Sequence, residues 1–382
     1  MSCPSPTFLK RDYLFFVKPL GYMIFCVIGL VACSVGKDDS LRLANDRVYL
    51  LDPDFPRSGS YSFQEVSWLT VSPQGDEVYF LQRGKPALSV WSLQGENLRQ
   101  WSTLALGYPH SLRFQIHPDK PATIWITDMA PPLTAGDIYG HCLKQFDVQG
   151  NYLNSIGVCG EDTQGSKIQP LQFDKVTDIA FDSEGMMWVS DGDLHGLNNR
   201  VMRIDPVTEN VLTLWSAPNN QAGSGKKEFN LPHALQVDSC DRVWIADALN
   251  HRIQIISTSG EFLQQLACFG DDGVYGMALS MGPGGGMQLF TTSSPTSSPT
   301  GGTVRIFNVD EQCDAPLPVP SSCATSDQWS ITLPQDTSTA MLHSIDAAND
   351  SESLYLAPLG GDLPPQRWIR TFLPLNNSSL KQ

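Results

Sequence analysis

Period-two alternation of apolar and polar residues, turn residues every 8 to 12 or so positions, and a three-strand unit that returns six times predict an all-β chain, a six-bladed β-propeller. Each copy of the unit, at roughly 40 to 65 residues, is too small to bury its own faces. Radial stacking of four-stranded blades around a central channel removes that difficulty. No helical pattern of convincing length interrupts the repeats. The unit is plainest in FNLPHALQVDSCDRVWIADALNHRIQII, residues 229–256. It reads as a strand from His233 to Val237, a turn from Asp238 to Asp241, a strand from Val243 to Ala246, a loop holding Asp247, and a strand from Arg252 to Ile256.

Taken in order, residues 1–36 form an export signal or anchor segment. Lys10, Arg11 and Lys18 precede a nearly uncharged run from Pro19 to Gly36, and Lys37, Asp38 and Asp39 follow it. The run is at the short end of the roughly 17 to 25 residues that span a bilayer, so membrane attachment is expected only through this segment or through a lipid. It ends Leu30-Val31-Ala32-Cys33, which resembles the bacterial lipobox and makes Cys33 the candidate for lipidation. Residues 37–382 are expected to form one propeller. A strand at 47–50 completes the last blade and closes the ring, which removes an exposed sheet edge.

The six blades are placed near 61–102, 108–157, 174–215, 230–269, 273–333 and 340–375. Their second strands hold Val78–Leu81, Ile124–Asp128, Met187–Asp191, Val243–Asp247, Leu289–Thr292 and Leu354–Ala357. Their third strands hold Ser89–Trp91, Leu143–Phe146, Arg200–Ile204, Arg252–Ile255, Thr303–Phe307 and Trp368–Phe372. Asp128, Asp191 and Asp247 recur at the end of the second strand, which predicts a turn-capping role rather than catalysis. Two stretches of blade five, Thr291–Gly302 and Asp314–Ser322, are expected to be loops.

The chain has 382 residues, 41% of them hydrophobic, with 25 basic against 40 acidic residues and a formal charge of −15. That balance repels phosphate backbones and excludes nucleic acid as a partner. Removal of residues 1–33 takes away three basic residues and one acidic residue and leaves six of nine cysteines. Cys142, Cys159, Cys240, Cys268, Cys313 and Cys323 on an exported chain are expected to form three disulfides. Local pairs are expected, with Cys142 and Cys159 facing each other across a turn at Gln149-Gly150. No Cys-x-x-Cys pair exists, which argues against zinc held by cysteine. Asn349-Asp350-Ser351, Asn376-Asn377-Ser378 and Asn377-Ser378-Ser379 fit glycosylation sequons, which matter in a eukaryotic host.

The first strand of each blade lines the channel, and these strands begin near Trp68, His110, Thr177, His233, Tyr275 and His343. Histidine therefore occupies blades two, four and six, about 120° apart in a six-fold ring. Three such side chains converge on the axis as a metal site, with zinc the expected ion. Imidazole nitrogens at about 2.0–2.1 Å leave a fourth position for water or substrate, the pattern of catalytic zinc. His117, His141, His195 and His251 fall in turns or loops and are expected at the surface.

Several segments carry a resemblance. Gln169-Pro170-Leu171-Gln172-Phe173-Asp174, Gly196-Leu197-Asn198-Asn199-Arg200, Phe229-Asn230-Leu231-Pro232-His233 and Arg242-Val243-Trp244-Ile245-Ala246-Asp247 are similar to NHL repeats. The likeness is strongest over residues 165–265 and collinear over about 45–375. The same propeller is used by peptidylglycine α-amidating lyase, which cleaves peptidyl-α-hydroxyglycine to an amidated peptide and glyoxylate with zinc on three histidines. The resemblance implies His110, His233 and His343 as zinc ligands. It also implies Arg83 of Gln82-Arg83-Gly84 as a binder of a substrate carboxylate.

The chain departs from the lyase at three places. The lyase tyrosine follows Ser-Asp-Gly, and here Asp193 follows Ser190-Asp191-Gly192 and becomes the candidate base. Ala248 replaces a second arginine, and Ser344 replaces an aspartate used for calcium, which speaks against calcium here. The expectation is an exported zinc propeller with a lyase-like or hydrolase-like reaction on a small polar or peptide-derived substrate. The alternatives are a binding propeller with a structural axial metal and a protein or glycan partner on its rim, or an active peptidyl-α-hydroxyglycine lyase.

Overall fold

The computed structural model describes residues 47–57, 59, 61–129, 140–160, 167–282, 286–297, 301–309, 313, 327–331, 340–349, 351–360 and 363–372. Cys33, Cys323, Asn376, Asn377 and the loop at Asp314–Ser322 lie outside them, as does the apolar N-terminal run. Among the described residues no helix is long and apolar enough to cross a membrane. The chain divides into two compact units, residues 1–50 with 370–382, and Leu51–Ile369. In the first, the Arg370 guanidinium lies 5.8 Å from the centre of the Tyr49 ring.

Six four-stranded antiparallel sheets give a six-bladed β-propeller. Blade one is β2 (Val66–Val71), β3 (Glu77–Gln82), β4 (Leu88–Ser92) and β5 (Asn97–Trp101). Blade two is β6 (Tyr108–Gln115), β7 (Thr123–Met129), β8 (Cys142–Asp147) and β9 (Tyr152–Ile156). Blade three is β10 (Val176–Phe181), β11 (Met187–Asp191), β12 (Arg200–Ile204) and β13 (Val211–Ser216). Blade four is β14 (Pro232–Val237), β15 (Arg242–Asp247), β16 (Arg252–Ser257) and β17 (Phe262–Leu266). Blade five is β18 (Asp272–Met281), β19 (Met287–Pro295), β20 (Gly302–Val309) and β21 (Asp327–Ile331). The sixth sheet runs β22 (Met341–Ala347), β23 (Ser353–Leu359), β24 (Gln366–Phe372) and β1 (Arg47–Leu51). Within Leu51–Ile369, the Asp52 N–H donates to the Arg367 carbonyl at 2.8 Å, which ties the start of the unit to its last strand. The first strands neighbour one another in a closed circle, β2 to β6, β10, β14, β18, β22 and back to β2.

The blades are held by apolar wedges between neighbouring sheets. Trp188, Val201 and Trp215 of blade three meet Leu235, Val243 and Ile245 of blade four, with the two indoles stacked at 4.9 Å. Trp125 and Leu143 of blade two meet Ile179 and Val189 of blade three in the same way. Full burial of one such large apolar side chain contributes about 1.5–3 kcal/mol.

The recurring aspartates do more than cap turns. Asp191 accepts from the Asp174 N–H, ahead of the first strand, and from Asn198 and Arg200 of the third-strand side. Asp247 accepts from the Asn230 N–H, Asn250 and Arg252. Asp128 accepts from the Gly107 and Tyr108 N–H groups and from Lys144. Each buried carboxylate thus staples the approach to the first strand onto the third strand, a link a turn cap would not make.

Two further expectations are corrected. Blade five's Thr291–Gly302 stretch is not a loop throughout, because β19 continues to Pro295 with Thr291, Thr292, Ser293 and Ser294 fully buried. Three of these hydroxyls donate to sheet carbonyls, Thr291 to Arg305, Ser293 to Thr303 and Ser294 to Gly301, while Thr292 Oγ1 is buried without a partner among the described residues. The expectation of local disulfides holds for Cys142–Cys159 but not for Cys240–Cys313, which are 73 positions apart. Blade-to-blade packing brings the blade-four hairpin turn to the segment after β20, a proximity that chain spacing does not reveal. Cys268 is also disulfide-bonded.

Candidate metal centre on the channel axis

The site begins with a fault in each first strand. Pairing with the second strand slips at Ser67, at His110 and Ser111, at Thr177, at His233, at Tyr275 and at His343. A bulge of this kind leaves a residue unpaired and re-aims its side chain. The equivalent of His233 in blade one is therefore Ser67, not Trp68, because the bulge adds one residue ahead of the regular register. In blades one, three and four the residue two places earlier, Glu65, Lys175 or Leu231, has positive φ of 51°, 65° or 63°. This is backbone strain of the sort that gathers at functional sites.

The three histidines meet on the axis. Their ring centroids are 4.7 Å (His110–His233), 4.9 Å (His110–His343) and 4.6 Å (His233–His343) apart, and one ligand nitrogen from each lies within 4.8 Å of the others. Each is at most 2% exposed. The intervening bulges orient them. His110 Nδ1 contacts the Thr177 carbonyl at 2.8 Å, His233 Nδ1 the Tyr275 carbonyl at 2.6 Å, and His343 Nδ1 the Ser67 carbonyl at 2.7 Å. A carbonyl only accepts, so every Nδ1 must donate its proton, and every Nε2 is left as a lone pair. Alternate bulges thus supply a ligand and the carbonyl that orients the preceding ligand, the outer-shell support typical of metal-binding histidine. Burial, reinforced by the neighbouring imidazoles, holds His110 and His343 well below the ordinary histidine range. Burial also lowers His233, against the pull of Asp193.

A metal ion fits this donor set. His110 Nε2 is buried with no hydrogen-bond partner, a costly state unless a cation takes the lone pair. Three neutral imidazoles match the ligand preference of zinc.

Beneath the triad the channel is plugged. The Trp68 ring centroid lies 6.0, 6.5 and 6.0 Å from those of His110, His233 and His343. The Arg113 guanidinium sits 5.0 Å from the Trp68 ring and is clamped by Asp178 at 3.0 and 2.6 Å. A cavity of about 470 Å³, lined by Arg113, Gln236, Ser280 and Asp346, is formed at the opposite ends of the first strands.

Arg83 and Asp193 both come to the triad. Arg83 donates through Nη1 to Glu65 at 2.8 Å and to the Tyr108 hydroxyl at 2.9 Å, and its guanidinium stacks 4.0 Å from the Tyr108 ring. Its charge is among those lowering all three histidines. Asp193 Oδ2 lies 3.9 Å from His110 Nε2. Gly192, with φ of 155°, sets Asp193 there, since a Cβ at Gly192 would collide with the Asn198 carbonyl. Ala248 is buried, donating its N–H to the Leu231 carbonyl and packing with Leu231 and Tyr275. The Ser344 hydroxyl accepts from the Leu69 N–H at 3.1 Å, a link between blades six and one.

Tyr275, Glu65, Tyr108 and Trp68 also shape the site. Tyr275 was legible as the blade-five equivalent of the histidines, whereas nothing local marked Glu65. Of the other histidines, His195 is exposed, but His141 is buried at 6% exposure, contrary to the expected surface position, because it sits where the chain turns into β8.

No family profile matches the chain. Among solved structures, a streptogramin B lyase has 13% identity and a TM-score of 0.49 over 85% of this chain and 98% of its own. A virginiamycin B lyase from Staphylococcus aureus has 15% identity and a TM-score of 0.45 over 86% of this chain and 99% of its own. Neither likeness assigns an activity here. Among curated proteins, the chain is 32% identical over 232 residues to NHL repeat-containing protein 3 of Mus musculus and 31% identical over 230 residues to that of Homo sapiens. These matches take in 60% and 59% of this chain and span 62% of the length of each relative, and over that stretch the chain is similar to NHL repeat-containing protein 3.

Proposed function

We propose that this chain is an exported propeller that holds one zinc ion on His110, His233 and His343 and cleaves a small polar or peptide-derived substrate in a lyase-like or hydrolase-like reaction. The observation that carries the reading is the convergence of three buried imidazoles whose Nδ1 atoms are all committed to carbonyls. Zinc bound there supplies a Lewis acid and brings the pKa of bound water toward about 7. Arg83 uses Nη1 on Glu65 and Tyr108 and keeps a buried Nε without a hydrogen-bond partner among the described residues, so its guanidinium has donor capacity left for a carboxylate or carbonyl oxygen. Asp193, beside His110, takes a proton from a hydroxyl or water held at the mouth. The disulfides support an oxidising, extracytoplasmic setting.

A second reading is a binding propeller whose metal only ties the channel together. Ala248 favours it, because the apolar cluster buries the position at which the lyase resemblance implies an arginine. Turnover separates the two. The zinc-loaded protein is assayed on an α-hydroxyglycine peptide beside His233→Ala and Asp193→Asn. Turnover abolished in both variants, with zinc retained in Asp193→Asn, supports catalysis. Stoichiometric zinc without turnover of this or related carbinolamide, ester and lactone substrates rejects the enzymatic reading and leaves the binding propeller.

A further inference from the structure

We propose that Tyr275, the blade-five residue at the level of the three histidines, donates a hydrogen bond from its phenol to the oxygen of a substrate held above them. This rests on the metal-site reading above and adds one contact to it, for ligands that present a carbonyl, hydroxyl or carboxylate oxygen.

Four observations place the group. Tyr275 is the bulged residue of its blade, the position His233 and His343 hold in theirs. Its ring meets the His233 ring edge-on at 5.1 Å, and its own carbonyl accepts the His233 Nδ1–H, so ring and ligand are positioned by one residue. The residue is only 7% exposed, and its hydroxyl, which has no hydrogen-bond partner among the described residues, is not one of the buried polar atoms and so reaches solvent, open to a ligand. Finally, a Cβ at Gly273 would sit 2.8 Å from the Tyr275 hydroxyl oxygen, so the hydroxyl occupies room that only glycine leaves.

A purely structural aromatic would be served equally by phenylalanine, since Leu231 and Ala248 contact an apolar body. The hydroxyl is the part packing does not explain.

The test uses the full zinc-loaded chain, with zinc measured first, and acetohydroxamate as an oxygen-donor probe in isothermal titration. One neutral hydrogen bond is worth about 0.5–1.5 kcal/mol, or roughly 2- to 12-fold in Kd. Tyr275→Phe is expected to weaken the probe within that range while zinc content and melting temperature stay at parental values. Unchanged affinity with zinc retained overturns the proposal and leaves the metal site standing. A parent that holds no zinc overturns both, and the metal analysis tells the two failures apart. A second measurement needs no variant: the tyrosine ultraviolet difference spectrum of the parent on adding the probe. A red-shifted tyrosine band at saturation supports the contact, and a flat difference spectrum at saturation contradicts it.

Discussion

Replacing Asp247 by alanine removes the staple that aims blade four at the axis. Its carboxylate is fully buried and takes hydrogen bonds from the Asn230 N–H at 2.7 Å and from Arg252 Nε at 2.8 Å. Asn230 lies three residues ahead of His233, so the staple and a metal ligand share one short segment. Arg252, whose side chain is 10% exposed, would lose its buried counter-charge and keep only its hydrogen bonds to Gln265 and to the Gly225 and Glu228 carbonyls. Breaking a buried pair from one side costs about 3–5 kcal/mol. The Leu51–Ile369 unit has about 320 residues, and at ~2.1 cal/mol/K per residue its unfolding entropy is about 0.7 kcal/mol/K. The expected fall in melting temperature is therefore roughly 4–7 °C, read by circular dichroism. The double variant Asp247→Leu with Arg252→Met should recover much of the loss, because replacing both members with apolar groups is often close to neutral. A fall under about 2 °C, or strict additivity of the two single changes, would refute the staple.

Burial holds the three histidines neutral in the fold, whereas in the unfolded chain they titrate near about 6.5. Their contribution to stability is complete above that pH and is lost as pH falls below it, because the unfolded state then binds more protons. Urea midpoints of the metal-free protein should fall from pH 7.5 to pH 5.5, and His343→Gln should flatten the trend; an equal slope in both counts against it. The disulfide between Cys240 and Cys313 closes a loop of 73 positions and that between Cys142 and Cys159 one of 17, so paired serine variants should cost about 4 and about 3 kcal/mol in the chain-entropy account. Equal denaturant midpoints for the two variants would count against that ordering. Trp68→Ala opens a void under the triad and should cost about 3–5 kcal/mol by chemical denaturation, and a loss below about 1 kcal/mol would mean the plug is not packed as described.

The sequence carried the fold because its repeat is written locally. Strand alternation, turn residues and the aspartate after the second strand each lie within a few residues of one another, and radial stacking follows from their number. The histidines were legible for the same reason, since three of seven fall at one place in the repeat. The rest depended on contacts between distant segments. Glu65 reaches Arg83 across 18 positions, and the carbonyl that orients His343 belongs to Ser67, 276 positions away. The Cys240–Cys313 pairing is of that kind as well. The bulges were hidden for a different reason, because an extra residue in a strand shifts the register without any mark in composition, and this moved the blade-one position from Trp68 to Ser67.

The most direct test of the account is the zinc-edge X-ray absorption of the full chain with one equivalent of zinc. The account predicts stoichiometric binding with three imidazole nitrogens at about 2.0–2.1 Å, a shell lost in His233→Ala. Absence of binding at micromolar zinc, or a first shell of sulfur or carboxylate oxygen alone, would contradict it.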